Sequence, residues 1–403
     1  MHPSTLTVLS FALLAVLTPG QVTAGRSTTL SPRSPIPEPA AQAQRAPLEK
    51  PSRRRRAVSV SPATPASSNF TSEEQPLVKP RQKRRINPKP RRVPINPKFA
   101  KRSVAASPTY TLSQASMGGY SFFDDWDWFT YPDPTHGWVD YRSMKQAWGE
   151  GLVYVPEPAR NTTIMRVDSW TDLSWGKLRG SVRISSKQKV DLGSIVVADI
   201  ANIPHGPAVW PAFWMVGDNW PYGGEVDLIE GVHDSTQNQM TLHTAPGCTL
   251  TTPMQASGAI LATDCNAFVD FNIGCGVQDT SKSSYGSGWN DAGGGVSVTQ
   301  FDETGISIWS FLRDEIPDDI TNGTPNPAKW GTPKARWEAS SCDMSKYFAS
   351  QNLVFDITLG GDWAGATFNA AGYSGTWQDA IMDPSNFEQA FWEVNYVKVY
   401  SRT

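Results

Sequence analysis

Long helical periodicity is missing from this chain of 403 residues, and so is any internal repeat. Strands are left to build the fold, and neither a propeller nor a solenoid fits. An apolar run long enough to cross a bilayer comfortably is missing too, since Leu6 to Leu17 spans only 12 residues. Cysteine is scarce. The four present, Cys248, Cys265, Cys275 and Cys342, have a spacing unlike any zinc pattern and leave two disulfides as the default, with three pairings open. A basic net charge is also lacking, the formal value being −2, but that figure hides a segregation. Residues 25–105 hold 19 basic and 4 acidic side chains, and the rest of the chain 17 and 34. An acidic body argues against nucleic acid as the main partner, whatever a basic tail suggests by itself.

The N-terminus reads as a secretory signal peptide over 1–24, with Val22-Thr23-Ala24 as a small-residue cleavage site after the apolar stretch. An uncleaved anchor is the alternative, and only then would a membrane be a partner. Residues 25–107 are rich in Pro, Ser, Ala and Arg without an apolar period, so the expectation is a disordered basic region. Its clusters, such as Arg53 to Arg56 and Lys101-Arg102, suit dibasic processing that would begin the mature chain at Ser103. A cationic arm that stays attached and adheres to anionic wall polymer is the other reading. The sequons at Asn69, Asn161 and Asn322 agree with an extracellular or cell-wall location.

From 108 to 403 the chain is a succession of short β-patterns separated by Gly, Pro, Asn and Asp. Leu353, Phe355, Ile357 and Leu359 alternate with Val354, Asp356 and Thr358, as a half-buried strand requires. The expected fold is all-β, a sandwich with a concave face long enough for several sugars. The 16 Trp, 11 Tyr and 16 Phe residues supply a large core and stacking surfaces for sugar rings.

The most informative segment is Gly223-Gly-Glu-Val-Asp-Leu-Ile-Glu-Gly-Val-His233. Val226, Leu228 and Ile229 give it strand character, yet Glu225, Asp227 and Glu230 load it with acid. Burying acids costs free energy that a fold tolerates where carboxyl chemistry is wanted. Strict alternation sends Glu230 to the face opposite Glu225 and Asp227. One extra residue, a β-bulge within Leu228-Ile229, returns it to their face. The two glutamates then stand roughly 13 Å apart at Cα, with room for carboxyls roughly 5 to 6 Å apart. That is the gap of a retaining glycosidase. The alternative for such a cluster is a site for a hard cation. His243 falls on the Thr241 face of its strand, opposite Met240 and Leu242, and therefore faces the cleft if that apolar pair faces the core.

Gly224-Glu-Val-Asp-Leu-Ile-Glu-Gly231 resembles the active-site signature of glycoside hydrolase family 16 in its bulged laminarinase form. Asp133-Pro-Thr-His-Gly137, Trp210-Pro-Ala-Phe-Trp214, Asn238-Gln-Met-Thr-Leu-His-Thr244, Gly361-Asp-Trp-Ala-Gly365 and Trp392-Glu-Val-Asn extend the resemblance in order from residue 110 to the C-terminus. The chain is similar to the secreted fungal endo-1,3(4)-β-glucanases of that family. The resemblance implies a β-jelly-roll and a double displacement with retention, needing no cofactor. By position it makes Glu225 the nucleophile, Glu230 the acid and then base, and Asp227 the helper between them. It places His243 beside these acids and makes Trp210 and Trp363 sugar platforms, ordinary core being the alternative. Arg183 is a candidate donor to sugar hydroxyls, or else a counterweight to the acidic body. Asp125, Trp126, Asp127 and Trp128 form a second aromatic-acidic patch without an assigned role.

Relatives tend to carry cysteines at the positions of Gly360, Tyr373 and Trp377 and near Pro207-Ala208. All are absent here, so the loops from Asn369 to Trp377 are expected to lose a staple, with Tyr373 and Trp377 replacing it by packing. The expected activity is that of a monomeric endo-hydrolase of β-1,3-glucan, extending to mixed 1,3/1,4 or 1,6-branched polymer. A wall-remodelling transglycosylase and a β-glucan lectin on the same fold are the alternatives. The inserted residue speaks against the first and the presence of both glutamates against the second.

Overall fold

The computed structural model describes residues 108–156 and 161–403. The expected signal peptide, the basic region 25–107 and the sequon at Asn69 lie outside the described residues. Two eight-stranded sheets account for most of the architecture. One has the strand order Ala335–Glu338, Gly305–Leu312, Gly295–Asp302, Ser194–Asn202, Phe391–Arg402, Thr163–Arg166 and Val153–Tyr154, with Tyr110–Met117 also paired to Phe391–Arg402. The other runs Ala259–Ile260, Val277–Gln278, Gln239–His243, Glu225–Glu230, Val209–Gly217, Gln351–Leu359, Arg183–Val190 and Trp126–Trp128. Both are antiparallel throughout, and many neighbours in space are far apart in sequence. This is a β-jelly-roll.

Alternation explains how the second sheet meets the first. Along Gln351–Leu359 the side chains of Leu353, Phe355, Ile357 and Leu359 enter the main core, as do Val209, Phe213 and Met215 of the adjoining strand and Ile184 and Val190 of the next. Phe213 and Phe355 stack there at 4.2 Å between centroids. Burying each such side chain is worth about 1.5–3 kcal/mol, so the inward set alone dictates register. The outward set, Trp210, Ala212, Trp214, Asn352, Asp356 and Arg183, is left on the other face, and cross-strand pairing lines it up: Asp356 stands opposite both Ala212 and Arg183. That face carries the site.

The aromatic-acidic patch resolves into structure. Trp126 is buried in the core, 5.6 Å from both Phe122 and Phe355, and its strand pairs with Arg183–Val190. The cysteines pair as Cys248–Cys342 and Cys265–Cys275, all four sulfurs in the core. Asn161 and Asn322 are both exposed, as acceptor positions must be. No helix among the described residues is long and apolar enough to cross a membrane.

Candidate active site

Gly224, with φ of 75° and no room for a β-carbon against Phe348, turns the chain into the Glu225–Glu230 strand. On one side this strand pairs Asp227 with Trp214, then Ile229 with Phe213 and Glu230 with Ala212, leaving Leu228 without a partner. On the other, Asp227 pairs with Thr241 and Glu230 with Gln239, so two residues oppose Met240. Leu228 is the inserted residue of a β-bulge. Val226, Leu228 and Ile229 all join the core, and Glu225, Asp227 and Glu230 share the outward face.

A bulge frees backbone groups that need partners. Asn238 supplies them: its Oδ1 accepts from the Glu230 N–H at 3.0 Å, and its Nδ2 donates to the Leu228 carbonyl at 2.9 Å. Each glutamate is then held by an indole. Trp210 Nε1–H donates to Glu230 Oε1 at 2.9 Å, and Trp220 Nε1–H donates to Glu225 Oε2.

His243 lies directly across the ladder from Glu225, on the outward face, with Met240 and Leu242 in the core. Its Nε2 is 3.4 Å from Asp227 Oδ2, an ion-pair contact longer than a hydrogen bond. That oxygen is buried and has no closer donor. The other ring nitrogen, Nδ1, is 2.8 Å from Asn272 Oδ1. The side chains of Glu225, Asp227 and His243 offer ligand atoms all within 4.8 Å of one another. The Nδ1 side of the ring is taken by Asn272, and its Nε2 side faces the two acids.

Crowded acids at the floor of a protein face resist ionisation. Burial, reinforced by the charge of Asp227, raises the Glu225 carboxyl to about 8, although His243, the Trp220 indole and Arg183 pull it down. Glu230 is driven well above its ordinary value by burial and again by Asp227, opposed by the Trp210 indole and His243. For His243 burial works against the charged form, but the Asp227 contact and the charges of the three acids win and raise it to about 10. The cluster holds more protons near neutrality than the same groups would in water.

A family profile described as the XgeA-like catalytic GH16 domain matches residues 126–400. The chain belongs to glycoside hydrolase family 16. A probable glycosidase of Schizosaccharomyces pombe is 40% identical over 297 residues, covering 72% of this chain and 69% of that protein. A probable endo-1,3(4)-β-glucanase of Aspergillus flavus is 37% identical over 308 residues, covering 72% of this chain but only 44% of the relative, so the chain spans under half of that glucanase. Among solved structures, laminarinase 16A of Phanerochaete chrysosporium, with β-glucans in both donor and acceptor sites, aligns with a TM-score of 0.70 and 37% identity, covering 73% of this chain and all of the other. An elongating family 16 β-1,3-glucosyltransferase aligns at 0.67 and 38% identity, covering 72% of this chain and all of the other.

The remaining candidates of this GH16 domain divide. Trp363 meets Trp210 edge to face at 5.7 Å, which ties it to the Glu230 side of the site. Arg183 is sandwiched between Phe129 and Trp214, 4.5 and 5.1 Å from their centroids, and lies 3.8 Å from Asp356. Burial raises the Asp356 carboxyl to about 7 against the pull of Arg183. Trp220, Asn238 and Asn272 escape the sequence reading. Asn238 opens a segment that carries the family resemblance, but nothing local marks what it bonds. A cavity of about 770 Å³ opens elsewhere, lined by Trp309, Gln300 and Arg336 among others; it shares no residue with the acid cluster.

Loops near the missing cysteines are held by packing. A β-carbon at Gly360 would stand 2.1 Å from the Trp377 ring, so the indole occupies the space a cysteine would need. Tyr373 stacks on Phe368 at 5.0 Å and donates its hydroxyl hydrogen to Asp234, which also binds His205 Nδ1 at 2.9 Å.

Proposed function

We propose that this chain is a secreted endo-β-glucanase that hydrolyses β-1,3-glucans, including mixed-linkage or branched ones, with retention. The observation that carries the reading is the Leu228 bulge, which gathers Glu225, Asp227 and Glu230 on one face with an indole donor on each glutamate. In the first step the Glu225 carboxylate attacks the anomeric carbon while Glu230 gives its proton to the departing glycosidic oxygen. In the second, the Glu230 carboxylate takes a proton from water, the water oxygen attacks the same carbon, and the bond to Glu225 breaks.

The surroundings of the two glutamates are compatible with these roles. Glu225 is opposed by three groups that favour its ionised form, His243, Trp220 and Arg183, and its carboxyl is raised only to about 8. Glu230 is held well above its ordinary value by burial and by Asp227, which suits the group that must arrive protonated. Asp227 supplies the charge that raises both, and with His243 it forms the wall between them. Trp210 and Trp363 offer aromatic surface on the Glu230 side. Secretion is part of the proposal, supported by two core disulfides and the exposed sequons at Asn161 and Asn322; a monomeric state is proposed with it.

Incubation of the purified protein with laminarin, lichenan and xyloglucan, followed by product analysis, tests the reading. New reducing ends from laminarin are expected, with Glu225→Gln inactive but still binding polymer. Full activity of Glu225→Gln would overturn the mechanism. Transfer is the second reading, favoured by the 38% identity to an elongating glucosyltransferase. There a sugar hydroxyl takes the place of water in the second step, and products longer than the substrate would reveal it.

A further inference from the structure

The loop closed by Cys265–Cys275 takes no part in the roles assigned above, yet it reaches His243. Its tip departs from ordinary backbone. Asp270, Phe271 and Asn272 have φ of 49°, 56° and 59°, three consecutive non-glycine residues in the left-handed region. Such a conformation costs on the order of 1–2 kcal/mol per residue, least for Asn and Asp. The Phe271 side chain is fully exposed and makes no packing to offset it. What the tip delivers is the Asn272 amide, whose oxygen lies 2.8 Å from His243 Nδ1.

The return leg of the loop is fastened to the strand that carries His243. Cys275 N–H donates to the Leu242 carbonyl at 3.1 Å. At Gly274 a β-carbon would stand 2.6 Å from that carbonyl oxygen and 2.8 Å from His243 Cε1, so the loop backbone lies directly against the imidazole edge. The disulfide joins residues only 10 apart, and its sulfurs sit in the core. The amide therefore meets the ring from a backbone fixed at both ends.

We propose that Asn272, presented by the Cys265–Cys275 loop, is a positioning residue that holds the His243 ring in line with Asp227 between the two glutamates. The inference rests on the retaining mechanism proposed above. The amide oxygen accepts from Nδ1–H, and the Asp227 carboxylate 3.4 Å from Nε2 favours the charged ring by its nearby negative charge. The groups facing it are Glu225, Asp227 and Glu230 from the neighbouring strand and the neutral Asn272 from the loop. Without the amide the ring loses its one hydrogen bond, and the positive charge opposite the acids is held less firmly. The contact reaches the reacting groups through His243, so the effect is expected in the chemical step.

The full-length protein with Asn272→Gly tests this, since glycine accepts the left-handed backbone and removes only the amide. Asn272→Asp keeps an accepting oxygen. The readouts are kcat and KM on laminarin across pH, and the imidazole nitrogen resonances of His243 in histidine-labelled protein, which has five histidines. Asn272→Gly should lower kcat about tenfold with KM nearly unchanged, and His243 should lose its proton at lower pH. Asn272→Asp should recover kcat relative to Asn272→Gly and, through its added negative charge, keep the His243 proton to higher pH. The double variant Cys265→Ser/Cys275→Ser should reproduce the Asn272→Gly pattern, and it stands in should that variant fold poorly. Unaltered kcat and His243 resonances in Asn272→Gly, or a loss confined to KM, would overturn the inference. An inactive wild type would instead remove the hydrolase reading, while the His243 resonances would still report on the contact itself.

Discussion

Asn238 stands against Leu228, the inserted residue of the acid-bearing strand, and bonds both sides of the bulge: the Leu228 carbonyl at 2.9 Å and the Glu230 N–H at 3.0 Å. One side chain thus stabilises the irregularity on which the position of Glu230 depends. Asn238→Ala would leave a buried donor and a buried acceptor unpaired, each costing about 1–3 kcal/mol. Denaturant unfolding should show a loss in that range or larger. Activity should fall further than stability, because Glu230 loses the bond that fixes its backbone.

The two indoles make opposite-limb predictions. Trp220 favours the ionised form of Glu225, so Trp220→Phe raises that carboxyl and moves the acid limb of kcat/KM to higher pH. Trp210 does the same for Glu230, so Trp210→Phe moves the alkaline limb to higher pH. A displacement of about one unit corresponds to about 1.4 kcal/mol of differential stabilisation. A pH profile of each variant checks it, read as limbs of a coupled cluster and not as single-residue values. Identical displacements of both limbs in either variant would contradict the assignment of roles.

Asp227→Asn should act with the reverse sign. Its charge raises Glu225 and Glu230, so removing it lowers both and draws the alkaline limb to lower pH. The same substitution changes the pH dependence of stability. Glu225 and His243 have folded values, about 8 and about 10, above their ordinary 4.5 and 6.5. Groups raised on folding stabilise fully below the ordinary value and lose that contribution as pH rises through the folded one. The wild type should therefore lose stability from these two groups between about pH 4.5 and pH 10, and Asp227→Asn should flatten the decline. Thermal unfolding at a series of pH values measures it.

The two disulfides should differ in weight. Cys248–Cys342 spans 94 residues of sequence and Cys265–Cys275 only 10. Loop-closure entropy gives the longer about 4–5 kcal/mol and the shorter about 2–3. Cys248→Ser/Cys342→Ser should lower the unfolding free energy more than Cys265→Ser/Cys275→Ser. If the inference about Asn272 holds, the order is reversed for kcat.

Legibility followed locality. The alternation of Leu353, Phe355, Ile357 and Leu359 and the surplus residue between Asp227 and Glu230 are periodic facts, and the sheet honours both because one face must be buried. His243 could be placed for the same reason, from Met240 and Leu242 beside it. Asn238 and Asn272 could not be. Each acts through an amide on a residue 10 or 29 positions away, and nothing in its neighbours marks it. Trp220 lies five residues before Glu225, but its contact depends on the turn through Asn219 to Gly224 that folds it back. The cysteine pairing was open for a like reason: four sulfurs carry no record of which strands adjoin. Arg183, read as a donor to sugar hydroxyls or a counterweight to the acidic body, has neighbours in Phe129, Trp214 and Asp356 that come from distant segments, so its surroundings were not legible from its own strand.

Tyr373 offers a last test, of the loop that lacks its staple. Its ring stacks on Phe368 and its hydroxyl bonds Asp234, a carboxylate that His205 and this hydroxyl together hold below its ordinary value. Tyr373→Phe keeps the stack and removes a charge-assisted hydrogen bond at a partly exposed place, worth about 1–2 kcal/mol. Opening of the Asn369 to Trp377 segment should become several-fold more frequent, seen as faster proteolysis there and faster amide exchange at Ala371 and Gly372, while global unfolding changes little. Trp377→Ala should do more, since it empties the space over Gly360 and removes a ring that also packs on Trp138 at 5.3 Å. A larger effect of Tyr373→Phe than of Trp377→Ala would mean that the hydrogen bond, and not the indole, substitutes for the covalent link.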